Sequence, residues 1–143
     1  MRFGDSEMKY SKATDYALHT MLFLATGTQD KPVGVQVLAE RQNVSPTYLS
    51  KILTKLAKAR MIESISGANG GYKLRRDWEN ISFLDIIQAI EGSASMFDCS
   101  YDHGPECPIQ RVILSAEDKM EEHLRNQTIA ALVQKDRKDN IQT

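Results

Sequence analysis

Ser45-Pro46-Thr47-Tyr48-Leu49-Ser50-Lys51-Ile52-Leu53-Thr54-Lys55-Leu56-Ala57-Lys58-Ala59 is the stretch that decides how this chain folds. Leu49, Ile52, Leu53 and Leu56 fall at i, i+3, i+4 and i+7, which stacks them on one face of an α-helix. Ser45 suits the N-cap, where its hydroxyl accepts an orphan backbone N–H. Pro46 suits the first helical position, where a missing N–H costs nothing. The opposite face carries Thr47, Ser50, Lys51, Thr54, Lys55 and Lys58. One side of this helix is made for a protein core and the other for a polar partner.

Immediately upstream, residues 35–42 predict a short helix with Val35, Leu38 and Ala39 inward, joined to the first stretch by the tight connector Asn43-Val44-Ser45. Downstream, 61–66 predict a strand, Gly67-Ala68-Asn69-Gly70-Gly71 a glycine-rich tip, and Tyr72-Lys73-Leu74 the return strand of a hairpin. Two short helices, a tight turn and then a hairpin is the order of a winged helix-turn-helix.

Charge supports the same reading. Residues 45–76 hold seven basic side chains, Lys51, Lys55, Lys58, Arg60, Lys73, Arg75 and Arg76, against the single acid Glu63. The remainder of the chain has 11 basic and 18 acidic residues, so a net charge of −1 conceals one basic third. Such a third is matched to a polyanion. In a helix-turn-helix, the N-terminal residues of the second helix meet base edges in the major groove, here Ser45, Thr47, Tyr48, Ser50 and Lys51. Lys55 and Lys58, farther along, are placed for phosphate and supply the salt-dependent part of binding.

Around this module, 10–25 predict a helix with Ala13, Tyr16, Ala17, Met21, Phe23 and Leu24 mostly on one face, followed by a turn-rich loop over 27–32. Ser82 with Asp85 resembles a capping box opening a helix over 83–91, which Gly92 ends. Pro108 starts a long helix with Ile109, Val112, Ile113, Ala116, Met120 and Leu124 on one stripe. Asn126 interrupts it, a last turn covers 129–133, and the charged residues from Gln134 read as a frayed tail. The expected fold is mainly α with a small β-hairpin wing. It divides into a winged helix-turn-helix domain (8–92), a cysteine-containing loop (93–107), a long C-terminal dimerisation helix with its return turn (108–133) and a flexible tail (134–143).

Several function classes drop out. No stretch approaches the roughly 18 apolar residues of a membrane span. Residues 1–9 are polar, without the apolar core of a signal peptide. Two cysteines, Cys99 and Cys107, are too few for a disulfide scaffold at this length, so a cytoplasmic location is expected. No Ser/His/Asp set, phosphate-binding Gly-Lys loop or His-Glu-x-x-His helix points to an enzyme.

Tyr10-Ser11-Lys12, Asp15-Tyr16-Ala17-Leu18, the segment from Leu38-Ala39-Glu40-Arg41 to Tyr48-Leu49, and Gly67-Ala68-Asn69-Gly70-Gly71-Tyr72 form a specific combination. With Ile86-Ile87-Gln88-Ala89-Ile90-Glu91-Gly92 and Cys107-Pro108-Ile109, it resembles the bacterial regulator family that contains the iron–sulfur cluster regulator IscR, the nitric-oxide-sensing repressor NsrR and the cysteine-metabolism repressor CymR. The resemblance spans residues 8–133. It implies a homodimer joined through the helix beginning at Pro108, with both recognition helices on a partly palindromic stretch of double-stranded DNA. Some members place an arginine at the wing position held here by Ser66, reaching into the minor groove. Its absence leaves phosphate contact from Lys73 and Arg75 as the wing's expected role.

Sensing members hold an iron–sulfur cluster with three cysteines in the loop before the long helix. This chain offers Cys99 and Cys107, with seven residues between them, and Ile113 where the third is expected. A three-cysteine site is therefore excluded for the single chain. A two-cysteine [2Fe–2S] or related cluster needs other donors. Asp15 occupies the position from which some nitric-oxide-sensing members give an aspartate across the dimer, and His103 or His19 supplies a fourth candidate. The alternatives are thiol oxidation of Cys99 and Cys107, a zinc site of both cysteines with His103, or a loop without chemistry. The functional expectation is a repressor whose operator affinity responds to redox, nitric oxide or iron–sulfur status through that loop. The rival is a winged-helix adaptor that binds a protein instead of DNA, against which the basic third speaks.

Overall fold

The computed structural model of the protein describes residues 10–27, 30–92 and 107–142, with side chains described through residue 135. In chain order the described elements are α1 (Lys12–Thr26), α2 (Val35–Gln42), α3 (Pro46–Lys58), β1 (Ile62–Ile65), β2 (Gly71–Leu74), a 3-10 turn (Trp78–Asn80), α4 (Phe83–Glu91), α5 (Pro108–Arg125) and α6 (Ile129–Gln142). The expected architecture, mainly helical with a hairpin wing, is present.

Local chemistry sets the helix ends. Ser45 Oγ accepts the Tyr48 N–H at 3.1 Å and so opens α3. Ser82 and Asp85 form a complete capping box at the start of α4, each side chain 3.0 Å from the other residue's backbone nitrogen. The first helix begins at Lys12 and not at residue 10, because Ser11 caps it. The end of α3 is a Schellman turn: Arg60 N–H donates to Ala57 O at 2.9 Å and Met61 N–H to Leu56 O at 3.0 Å. Arg60 thereby takes φ 62°, a left-handed conformation more usual for glycine.

One core serves the elements other than α5. Ala17, Met21 and Leu24 of α1 meet Leu38 of α2, Leu49, Leu53 and Leu56 of α3, Ile86 of α4, and Ile129 and Val133 of α6. The apolar i, i+3, i+4, i+7 set of α3 is buried throughout, which fixes the angular position of its polar face.

The wing is short but anchored. β1 and β2 pair antiparallel with Glu63 opposite Lys73 and Ile65 opposite Gly71. Val33, in the loop before α2, exchanges both backbone hydrogen bonds with Tyr72 at 2.8 Å. The hairpin is thus continuous with the chain that enters the helix-turn-helix. Gly71 permits that junction: its φ is +146°, and a Cβ there would lie 2.5 Å from the Val33 carbonyl carbon and oxygen.

One expectation is corrected at the C-terminal end. A helix runs through Gln142 where only one turn over 129–133 was expected, since 134–142 contain neither proline nor glycine to stop it. The apolar residues of α5 keep to one stripe but differ in exposure. Met120 lies against Tyr10, whose hydroxyl is 4.0 Å from its Sδ, and Leu124 lines a groove with Phe83 and Leu132. Ile109 and Val112, near the start of α5, are 65% and 68% exposed, and no residue of α5 is fully buried. The connection from α5 to α6 closes on the start of α4, with Phe83 N–H donating to Gln127 O at 2.8 Å. Among the described residues no helix is long and apolar enough to cross a membrane.

Candidate nucleic-acid interface

Helix α3 presents its polar face outward. Thr47, Lys51, Thr54, Lys55 and Lys58 are exposed and Ser50 is half-buried. The Ser45 oxygen is engaged as a cap acceptor, which leaves its O–H to donate to an external acceptor. Thr54 is the reverse case, since its O–H already donates to Ser50 O at 2.9 Å. Tyr48 is 39% exposed, and its ring is held edge-on by Tyr16 of α1 with centroids 5.8 Å apart. This pairing orients an aromatic hydroxyl at the helix N-terminus without burying it. The part played by Tyr16 was missed in the sequence, where it reads only as an apolar position of α1.

The basic residues fall into two groups. Among the described residues no ion pair engages Lys51, Lys58 or Arg60 on and after α3, whereas both predicted wing cations are paired. Lys73 Nζ lies 3.8 Å from Glu63 Oε2 across the hairpin. Arg75 Nε stands 2.8 Å from Asp77 Oδ1, although its N–H is not aimed along that contact. The basic third is therefore concentrated in the recognition helix more than its composition suggests.

A further link runs behind α3. Glu91 Oε2, at the end of α4, accepts from Ser11 N at 2.6 Å, Ser11 Oγ at 2.8 Å and Thr14 Oγ1 at 2.6 Å. Desolvation pushes the Glu91 carboxyl up. The hydrogen bonds from Thr14 and Ser11, with the charge of Lys55, outweigh it and hold the carboxyl below the usual glutamate range. No local sequence pattern pointed to Glu91, because its partners lie about eighty positions away.

Of the predicted sensor residues, Cys107, Asp15 and His19 lie among the described residues. Cys99 and His103 lie outside the described residues, as does the 93–106 part of the predicted loop. Cys107 is 3% exposed at the start of α5 and accepts the first bond of that helix, from Arg111 N–H at 3.0 Å. Asp15 and His19 sit together on the exposed face of α1, His19 Nδ1 being 2.9 Å from Asp15 O and 3.3 Å from Asp15 Oδ1. Both border an apolar groove of about 150 Å³ formed by Leu18, Leu22, Phe83, Ile129 and Leu132. Ile113, at the position of a third cysteine, is a half-buried apolar residue. Among the described residues no three His, Cys, Asp or Glu side chains converge as metal donors. The described part of one chain thus does not itself form a cluster site.

Comparison with known proteins fits this geometry. Residues 10–135 match the Rrf2 family model, described as an iron-dependent transcriptional regulator. The chain is 31% identical over 121 residues to the HTH-type transcriptional regulator NsrR of Geobacillus kaustophilus, covering 82% of each protein. Its fold is similar to CymR (YrzC), the global cysteine regulator of Bacillus subtilis, with TM-score 0.76, 29% identity and coverage of 88% and 96% of the two chains. Staphylococcus aureus CymR in an oxidized form gives TM-score 0.73 and 33% identity, with coverage of 88% and 96%.

Proposed function

The chain belongs to the Rrf2 family of transcriptional regulators, and from that premise we propose that it acts as a homodimer reading a partly palindromic operator with α3, its affinity set by the chemical state of the Cys99–Cys107 segment. The observation that carries the DNA-reading part is the arrangement of α3: Leu49, Ile52, Leu53 and Leu56 are locked in the core, so Thr47, Tyr48, Ser50 and Lys51 are presented together with Ser45 at the helix N-terminus. These five groups meet base edges, and Lys55 and Lys58 meet the flanking phosphates. Lys73 and Arg75 of the wing supply further phosphate contacts once released from their carboxylates.

The regulatory part rests on connectivity. Cys107 is the residue from which α5 departs, and Glu91 at the other end of the 93–106 segment grips α1. A chemical change between these points acts on both the long helix and the DNA-binding module, and so on the spacing of two recognition helices. Repression is the expected sense of regulation. The oxidized form in which Staphylococcus aureus CymR is known supports a redox-responsive reading of the fold. The family's iron-dependent description supports an iron–sulfur cluster such as [2Fe–2S], for which Cys99, Cys107, Asp15 and His103 are the proposed donors.

The test is operator selection from a random duplex pool, followed by titration of wild type and Lys51→Ala against the selected site and a scrambled one. Lys51→Ala is expected to lose about 1–3 kcal/mol on the selected site and much less on the scrambled one. Equal losses on both would sink the base-reading role of Lys51. An anaerobic absorbance spectrum with iron and sulfide analysis separates cluster from thiol chemistry.

A further inference from the structure

The basic count of the wing overstates the charge it offers. Lys73 and Glu63 occupy directly opposed positions of the antiparallel ladder, so the strand register itself keeps their side chains on one face. Arg75 is followed by a turn in which Trp78 N–H donates to Arg75 O at 3.2 Å, and this turn brings Asp77 back beside the guanidinium. Lys73, Arg75 and Arg76 share one cleft of about 430 Å³ with Glu63, Asp30 and Glu79. Two independent pieces of backbone geometry thus each set a carboxylate against a wing cation, while Lys51, Lys58 and Arg60 have no such partner among the described residues.

We propose that Glu63 and Asp77 are specificity-determining residues: they occupy Lys73 and Arg75 and thereby suppress sequence-independent attraction of the wing to DNA. This rests on the DNA-reading function proposed above. The physical reason is that phosphate contacts supply affinity for every duplex alike, whereas base contacts supply discrimination. A cation already matched with a carboxylate releases less counterion from DNA. Quieting the wing therefore lowers non-specific binding and leaves the base-edge contacts of α3 to decide the site. The pairs need not be strong to act this way. Exposed ion pairs are weak in isolation, so a specific complex that aligns a phosphate with the wing exchanges one partner for the other.

The experiment is a fluorescence-anisotropy titration of the full chain on a labelled random-sequence duplex across a potassium chloride series. The variants are Glu63→Gln, Asp77→Asn, Lys73→Met, Glu63→Gln with Lys73→Met, and Glu79→Gln as an acid of the same cleft outside the two ion pairs. Glu63→Gln and Asp77→Asn are each expected to tighten binding about three- to tenfold at low salt and to steepen the salt slope by about one. Glu79→Gln should stay within about twofold of wild type, because no ion pair joins Glu79 to Lys73 or Arg75. Glu63→Gln should have little effect once Lys73 is methionine. The proposal is overturned if Glu79→Gln tightens binding as much as Glu63→Gln, since the effect would then be general charge. It is equally overturned if Glu63→Gln still tightens binding without Lys73. A wild-type chain with no salt-dependent binding anywhere in the series would instead overturn the DNA reading, and this proposal with it.

Discussion

Glu91 Oε2 accepts the backbone N–H of Ser11 at 2.6 Å, joining the last residue of α4 to the N-cap of α1. The same oxygen takes the Ser11 and Thr14 hydroxyls, so one carboxylate satisfies three donors at the positive end of a helix. Thr14 is buried and would lose its external partner without Glu91. Glu91 ends α4, so in sequence this clamp directly precedes the cysteine-containing segment.

Replacing Glu91 with Ala is expected to destabilise the fold by about 1 kcal/mol, less than is usual for hydrogen bonds to a charged group because the carboxylate is exposed. Thermal unfolding should show a fall of about 3–5 °C. The pH dependence has a defined sign. The folded carboxyl is held below its ordinary value, so its stabilising contribution is present above the unfolded glutamate pKa of about 4.3 and is lost as pH falls through the lower folded pKa. The stability gap between wild type and Glu91→Gln should be flat near neutrality and close in acid. A gap that widened on acidification would mean that the hydrogen bonds favour the protonated form.

How much of this was legible beforehand follows from the range of each interaction. The burial of α3 and the Ser82–Asp85 capping box were readable because they depend on residues three or four apart. The Val33–Tyr72 bridge, the Tyr16–Tyr48 ring contact and the Glu91 clamp were not, since each joins residues distant in sequence. Counting charges located the basic third correctly but could not say that Lys73 faces Glu63, because that depends on hairpin register. Likewise, periodicity found the apolar stripe of α5 without showing that Met120 meets Tyr10 while Ile109 and Val112 stay exposed.

That difference in exposure sharpens the dimer prediction. Ile109 and Val112 are exposed in the single chain, so replacing both with Asp should leave the monomer fold intact. In a dimer joined through α5 the same changes bury unpaired charge, at a cost of about 3–5 kcal/mol per site. Analytical ultracentrifugation should then find a monomer with an unchanged circular dichroism spectrum. A double variant still dimeric at micromolar concentration would rule out an interface at this end of α5.

Gly71→Ala tests the anchoring of the wing. The added methyl would need to occupy space 2.5 Å from the Val33 carbonyl, at a φ of +146° that L-residues avoid. Strain of this kind costs about 1–3 kcal/mol, and the structure relieves it most directly by releasing the Val33–Tyr72 bridge. Hydrogen exchange of the Val33 and Tyr72 amides should accelerate, with the α1–α4 core amides far less affected. Protection unchanged at both amides would show that the bridge does not depend on glycine here.

Arg60 offers a separation of stability from function. It is the left-handed residue of the Schellman turn that ends α3, at φ 62°, with Leu56 and Met61 buried on either side of the turn. Glycine fits that conformation without the roughly 1–2 kcal/mol that a Cβ costs there, partly offset by the greater freedom glycine gives the unfolded chain. Arg60→Gly should therefore stabilise the fold by about 0.5 kcal/mol. Yet the residue at this position is a cation, exposed at the end of the recognition helix and without an ion pair among the described residues. If its charge is what the strained position serves, through contact with one phosphate, Arg60→Gly should weaken binding to any duplex and flatten the salt slope by about one. Arg60→Lys should keep most of the slope. A glycine variant that melts higher and binds DNA unchanged would leave the arginine without an electrostatic role.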